Sequence, residues 1–475
     1  QLITDMLGET GNYVGAGQPS LWPVWSELTL DPNLVLRLAP ESFVEDPRSP
    51  ETLLPKRRES LLPSLSISYR NKLKIVRGRG AYLFDHTGRA YVDAVNNICH
   101  VGHSHPVVTA ALSKQADILN TNTRYLHNHL IDYAEKLSSY FAPALSVLTM
   151  VCSGSEANEL AIRMARTVTG RKGMVTLDWA YHGNTNAAID VSPYKFNRKG
   201  GKGKPAHVAI AELPDPYRGR FKGYGAASGA AYAESLDRCI AEVEAATGAP
   251  PAAFIVEAIS GCGGQVFFPE GYLKAAAEKI RRVGGLLIVD EVQTGFGRVG
   301  SSFWAYELQG VTPDIVTMGK PIGNGHPMAG VVTTAELAGA FANGMEFFSS
   351  FGGNPVSAAV GLAVLEVMEG EGLQENARLT GNYLKEGLRS IVHPLIGDVR
   401  GEGLFLGIEL VEDREALTPA TDKAGAIINL MKEDGVLAST DAPFDNVIKI
   451  KPPIVFGRLE SDLLVADFEK ALKLV

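Results

Sequence analysis

A chain of 475 residues, 45% hydrophobic and 21% charged, is long enough for two or three lobes around a large core. Its net charge of -8 leaves no basic footprint for nucleic acid or for an anionic membrane surface. No run reaches the roughly 20 apolar residues needed to span a bilayer, and the first residues show no basic-then-apolar leader.

Residues 1–65 are rich in Pro, Glu and Arg, with apolar clusters such as Leu21-Trp22-Pro23-Val24-Trp25. They read as an extension wrapping over the body of the protein or over a partner subunit. Residues 66–115 open a small domain, with two short strands around a turn, Ala81–Asp85 and Gly88–Asp93. Helical spacing follows at 107–119 and 130–140. Over residues 116–355 short apolar strands alternate with helices. The expected strands are Val147–Cys152, Gly173–Leu177, Ala253–Glu257, Leu286–Val289 and Ile315–Met318. Helices are expected at Glu156–Thr167, Ala231–Ala246 and Tyr272–Val283. This rhythm predicts an α/β fold whose mostly parallel sheet is covered on both faces. From Val356 a long helix leads into a C-terminal lobe, 356–475, with strands near Leu404–Leu410 and Val447–Ile450. The four cysteines form no CxxC pair and suit a reducing, cytoplasmic setting.

Lys320 ends the strand-like Ile315-Val316-Thr317-Met318-Gly319 and precedes a Gly-containing loop. On local context alone it reads as a solvated lysine. Asp290 ends the apolar strand Leu286–Val289, and open α/β sheets bind ligands at such carboxyl ends. Alternation turns Glu291 away. Ser153-Gly154-Ser155-Glu156-Ala157-Asn158 joins a strand to a helix, so it is either an N-cap or a phosphate cup. Trp179-Ala180-Tyr181-His182-Gly183 places an aromatic after the next strand, able to stack on a flat ring. Two patterns are set aside. Gly295–Gly300 matches GxGxxG but lacks the strand-turn-helix setting of a nucleotide fingerprint. His100, His103, His105, His127 and His129 have no acidic or Cys ligand spaced with them, so no metal site is expected. The basic stretch Lys195–Lys204 reads first as a solvated loop.

Together Ser153–Ala157, Asp290–Arg298, Gly319-Lys320 and Gly352-Gly353-Asn354-Pro355 resemble the class III, fold-type-I aminotransferase superfamily, from about Tyr69 onward. The resemblance implies a large domain with a mostly parallel seven-stranded sheet, plus a smaller α+β domain made from both chain ends. It implies pyridoxal 5'-phosphate as cofactor, with Lys320 as its Schiff-base lysine and Asp290 as partner of the pyridine nitrogen. Gln293 would bond the ring hydroxyl, with Val292 on one ring face and Tyr181 on the other. Gly154 and Ser155 would hold the cofactor phosphate, and His182 and Glu257 complete the cofactor set. Ser350 stands where the family has a Thr that reaches the phosphate from the neighbouring subunit, which implies a homodimer with shared sites.

Further segments resemble the ethanolamine-phosphate phospho-lyase branch and the related phosphohydroxylysine lyases. They include Asn96–Pro106, Asn120–His127, Ser192–Phe196, Tyr217-Arg218-Gly219 and Met318–Pro327. The implied reaction is β-elimination of phosphate from O-phosphoethanolamine, giving acetaldehyde, ammonia and phosphate. Arg400 matches the family position that grips a substrate carboxylate, and is expected to contact the substrate phosphate or to lie close by. Lys195, Tyr194 and Arg124 are further candidates from the branch-specific segments. An ω-aminotransferase using pyruvate or glyoxylate shares the same core motifs. A silent cofactor-binding protein and a nicotinamide oxidoreductase are the more distant readings.

Overall fold

The computed structural model describes residues 48–475 and, upstream, the backbone of two short antiparallel strands, Leu28–Leu30 and Leu36–Leu38. The expectation of a wrapping extension falls largely outside the described residues. Within it, Pro50–Ser60 forms a helix capped by the Ser49 side chain, with no buried residue.

Seven strands make the central sheet: β1 (Leu145–Val151), β2 (Met174–Leu177), β3 (Val208–Ala211), β4 (Ala253–Glu257), β5 (Leu286–Asp290), β6 (Ile315–Met318) and β7 (Ala329–Thr334). Their order is β1-β7-β6-β5-β4-β2-β3, and β7 alone runs antiparallel to its neighbours. Strands covered on both faces should be continuously apolar. β4, Ala-Phe-Ile-Val-Glu, is buried at every position. β3 and β7 escaped the sequence reading, because Val-Ala-Ile-Ala and Ala-Gly-Val-Val-Thr-Thr carry small residues with weak strand preference.

Helix α1 (Gly154–Thr169) starts where the Ser153 hydroxyl accepts from the Glu156 N–H at 3.2 Å, and stops at Gly170 in the left-handed region, φ 67°. Its buried Ala157, Leu160, Ala161, Met164 and Ala165 follow the 3.6-residue period and face the sheet. Helix α2 (Pro355–Gly370), capped by Asn354, is buried along most of its length.

A second sheet comes from the C-terminal lobe. Strands β8 (Ile396–Glu402), β9 (Phe405–Asp413), β10 (Ser439–Asp441) and β11 (Val447–Ile450) run antiparallel in the order β8-β9-β11-β10. Near the N-terminus Ile75–Arg79, Tyr82–Asp85 and Ala90–Asp93 form a meander. The C-terminal strand Val436–Leu437 joins it parallel to Ala90–Asp93, so the two chain ends share one sheet. Among the described residues no helix is long and apolar enough to cross a membrane.

Candidate active site

Parallel pairing sets Glu257, Asp290 and Thr317 side by side at the carboxyl ends of β4, β5 and β6. Asp290 is buried at 5% exposure, and a bare carboxylate there would be costly. It is held by donors instead. Asn158 Nδ2 and His182 Nδ1 lie 2.7 and 2.8 Å from its Oδ2, and the Val292 N–H donates to Oδ1 at 3.0 Å. Asn158 is the hub: it also donates to the His182 carbonyl at 2.8 Å and accepts from the Thr317 hydroxyl at 2.7 Å. In the sequence Asn158 stands out only as the end of a cap motif. Its position on the inner face of α1 was the available signal.

Lys320 begins a short 3-10 turn straight after β6, with φ 30°, a region that side-chain-bearing residues seldom adopt. Strain of this kind collects at functional sites. Burial lowers its ammonium below the ordinary lysine value, opposed by Asp290, Cys262 and Glu257. The Val292 side chain packs over two glycines. A Cβ on Gly154 would come within 2.9 Å of its Cγ1, and one on Gly319 within 3.4 Å. Only a bare backbone therefore fits between α1 and the Lys320 turn. The first N–H groups of α1, at Gly154 and Ser155, have no intrahelical carbonyl to bond, so they form an anion cradle. The Ser155 hydroxyl lies beside it, accepting from the Asn184 N–H at 3.0 Å. Gly183, at φ 136°, leaves no room for a Cβ against that hydroxyl.

Glu257 accepts from the Gly261 N–H at 3.3 Å, while its Oε2 is buried with no hydrogen-bond partner. Burial first and Asp290 second push its carboxyl up to about 8. Gln293 Oε1 accepts from Lys451 Nζ at 2.6 Å and from Asn97 Nδ2 at 3.3 Å. Burial, then the neighbouring Lys449 charge, pulls buried Lys451 down to about 7. Glu291 turns away from this group, as alternation predicted, and accepts from Thr294 and the Tyr306 N–H.

The remaining candidates divide. Tyr181 and Tyr194 meet edge-on with centroids 5.9 Å apart, and Lys195 Nζ lies 5.3 and 5.2 Å from the two rings. Burial raises the Tyr181 hydroxyl above its ordinary value. Arg400 is 3% exposed and already engaged. It donates from Nε and Nη2 to the Gly264 carbonyl, and from Nη1 to Glu409 at 2.7 Å and Asp398 at 3.0 Å. Each of its three nitrogens thus has a partner within the protein in this structure. Arg124 is exposed, pairs with Glu346 at 3.1 Å and stacks on Phe348. Ser350 is exposed on the same segment. Within one chain, neither joins the Asp290–Lys320 group.

The patterns set aside have structural roles. His103 bonds Asp93 at 2.7 Å, His105 bonds Glu371 at 3.0 Å, and His100 meets the Phe296 carbonyl at 2.7 Å. His127 accepts from the His129 N–H. Gly295 and Gly300 are packed against Trp304 and the Arg378 backbone.

An acid at the carboxyl end of the central strand, a lysine one strand away and a helix-start cradle nearby match the donor set of a pyridine ring bearing a phosphate arm. The family model for class III aminotransferases matches residues 66–472. The chain belongs to the class III aminotransferase family. The Drosophila melanogaster protein named alanine–glyoxylate aminotransferase 2-like is 48% identical over 427 residues, 88% of this chain and 86% of its own. Ethanolamine-phosphate phospho-lyase homolog 1 of Caenorhabditis elegans is 39% identical over 430 residues, 87% of this chain and 91% of its own. Among solved structures, a phospholyase from Arthrobacter in complex with phosphoethanolamine superposes with a TM-score of 0.85 at 40% identity. The match covers 89% of this chain and 100% of that one. The family's fold type I architecture is the one described above, and its cofactor is pyridoxal 5'-phosphate.

The residues fit that cofactor. The Gly154–Ser155 cradle suits its phosphate, Asp290 its ring nitrogen, and the unpartnered Glu257 Oε2 and Gln293 its polar rim. Bound there, the cofactor supplies an electron sink for charge developing on a substrate carbon.

Proposed function

We propose that this protein is a phospho-lyase that eliminates phosphate from O-phosphoethanolamine or a close phosphorylated amine. The observation that carries the reading is the likeness to the phospholyase solved with phosphoethanolamine, at 40% identity over that whole chain. It is supported by an Arg400 already neutralised by Glu409 and Asp398, an arrangement that offers little to a keto-acid carboxylate. The balance is O-phosphoethanolamine plus water to acetaldehyde, ammonia and phosphate. Lys320, lowered by burial, takes the proton from the carbon bearing nitrogen. Asp290, fixed by Asn158 and His182, holds a proton on the ring nitrogen. The C–O electron pair leaves with the phosphate.

A homodimer is part of the proposal. The segment carrying Ser350 lies among exposed apolar side chains, Tyr125, Leu126, Met345 and Phe351. Burying such a patch against a second copy removes apolar surface from water and brings Ser350 to the neighbouring cradle. The second reading is an aminotransferase, favoured by the name of the Drosophila relative. One experiment separates them: purified enzyme mixed with O-phosphoethanolamine, without any keto acid. Steady, catalytic phosphate release is expected. Conversion of the cofactor to its amine form with no phosphate released selects the aminotransferase.

A further inference from the structure

The C-terminal sheet sets four residues in one row. Arg400 pairs with Gly407, Gly407 with Lys449, and Lys449 with Ser439. Partners directly opposite in an antiparallel pair share a face. Gly407 contributes no side chain, and the gap is filled from the large domain, where a Cβ on Gly407 would lie 3.0 Å from the Gln265 Cβ. The row therefore faces the loop that follows β4, directly beyond Glu257. Its two ends differ. At the Arg400 end every nitrogen donates within the protein. At the other end Lys449 is 22% exposed and makes one ion pair, to Asp441 at 2.9 Å. An ammonium has three donors, so two remain. The adjacent Ser439 hydroxyl is buried without a hydrogen-bond partner.

Two other cations nearby are less suited. Lys451 donates to Gln293 and is pulled to about 7, so at neutral pH it carries only part of its charge. Arg198 is held by Asp445 and the Ala442 carbonyl. Gly407, opposite Lys449, meets Gln265, whose amide donates to the Gly261 carbonyl, and the Gly261 N–H donates to Glu257. Lys449 thus faces the loop that starts at Glu257, beside Asp290, and its charge also weighs on Lys320.

We propose that Lys449, assisted by the Ser439 hydroxyl, is the specificity-determining group that receives the substrate's phosphate while the substrate nitrogen is at Lys320. Asp441 aims the ammonium, and Arg400 serves the wall behind it. This assignment rests on the lyase reading, because it needs a dianionic group two carbons from the amine. A charge-assisted contact to a phosphate strengthens as the leaving group gains charge, so it acts on turnover as well as on binding.

The test uses the full-length, cofactor-loaded enzyme. The probe is 3-aminopropylphosphonate, an isostere of O-phosphoethanolamine that cannot release phosphate, titrated calorimetrically beside n-propylamine. Lys449→Met is expected to weaken the phosphonate about 10- to 100-fold and leave n-propylamine within about twofold. It should also lower kcat/KM for O-phosphoethanolamine about 100-fold. Lys449→Arg should recover most of both, and Ser439→Ala should lose about threefold to tenfold of phosphonate affinity. Lys449→Met enzyme that binds the phosphonate as tightly as wild type overturns the assignment. Wild-type enzyme that binds the phosphonate but releases no phosphate from O-phosphoethanolamine overturns the lyase reading instead.

Discussion

Asp290 and Arg400 are both buried charges, at 5% and 3% exposure, on the two different sheets, yet they are satisfied in different ways. Asp290 sits among hydrogen-bond donors, Asn158, His182 and the Val292 N–H, on the large sheet. Arg400 sits between two carboxylates on the small sheet. Hydrogen bonds hold a charge in place and leave its field available for chemistry. Counter-ions cancel the field and leave a structural brace. By this criterion the large sheet offers its buried charge to chemistry, and this part of the small sheet forms a wall.

Four variants sharpen or break that comparison. The largest effect is expected from Lys320→Ala, which should lower phosphate release at least about 10³-fold with secondary structure retained by circular dichroism. Turnover surviving in that variant would show that the proton is moved by another group. Next is Arg400→Met. It strands part of the Glu409 charge and should cost about 3–5 kcal/mol of stability in urea unfolding, while the folded fraction keeps substrate affinity. If stability is kept and affinity is lost, the contrast between the two sheets fails. Asn158→Ala leaves Asp290 and Thr317 each short of a partner. A loss of about 1–3 kcal/mol is expected, together with faster cofactor loss on dialysis.

The smallest effect is a change of pH profile. Glu257 gives up its proton near pH 8, placing a second negative charge beside Asp290. Negative charge favours the ammonium form of Lys320, so the share able to act as base falls, and activity should decline a few-fold above about pH 8. Glu257→Gln should flatten that decline. The same shift has a stability sign. The folded carboxyl keeps its proton between the ordinary 4.5 and about 8, whereas the unfolded one has lost it. Its contribution to folding stability therefore falls as pH rises through that window, and Glu257→Gln removes the slope.

Much of this was legible in order along the chain. β4 and β6 coincide with the strands read from their apolar runs, and β5 differs by the single residue Asp290. Lys320, Asp290 and the Gly154–Ser155 turn all belong to local signals, a strand end or a helix start, so their positions follow from short-range patterns. Lys449 and Lys451 carried no such signal. In Val447-Ile448-Lys449-Ile450-Lys451 the alternation marks a strand with one polar face. It does not say that the face is turned onto another domain's loop.

The sequence by itself determined the α/β class, the acid and lysine at strand ends, and the glycines that keep backbone close to backbone, because each depends on residues near one another in the chain. Tertiary structure alone decided that Asn158 joins Asp290 to Thr317, that Arg400 is spent on Glu409 and Asp398, and that Lys449 keeps two donors free. Those outcomes depend on which partners reach a buried charge across more than 100 residues of chain, or across a register between strands. Periodicity, which reports only the face a residue occupies, holds no record of the partner it meets there.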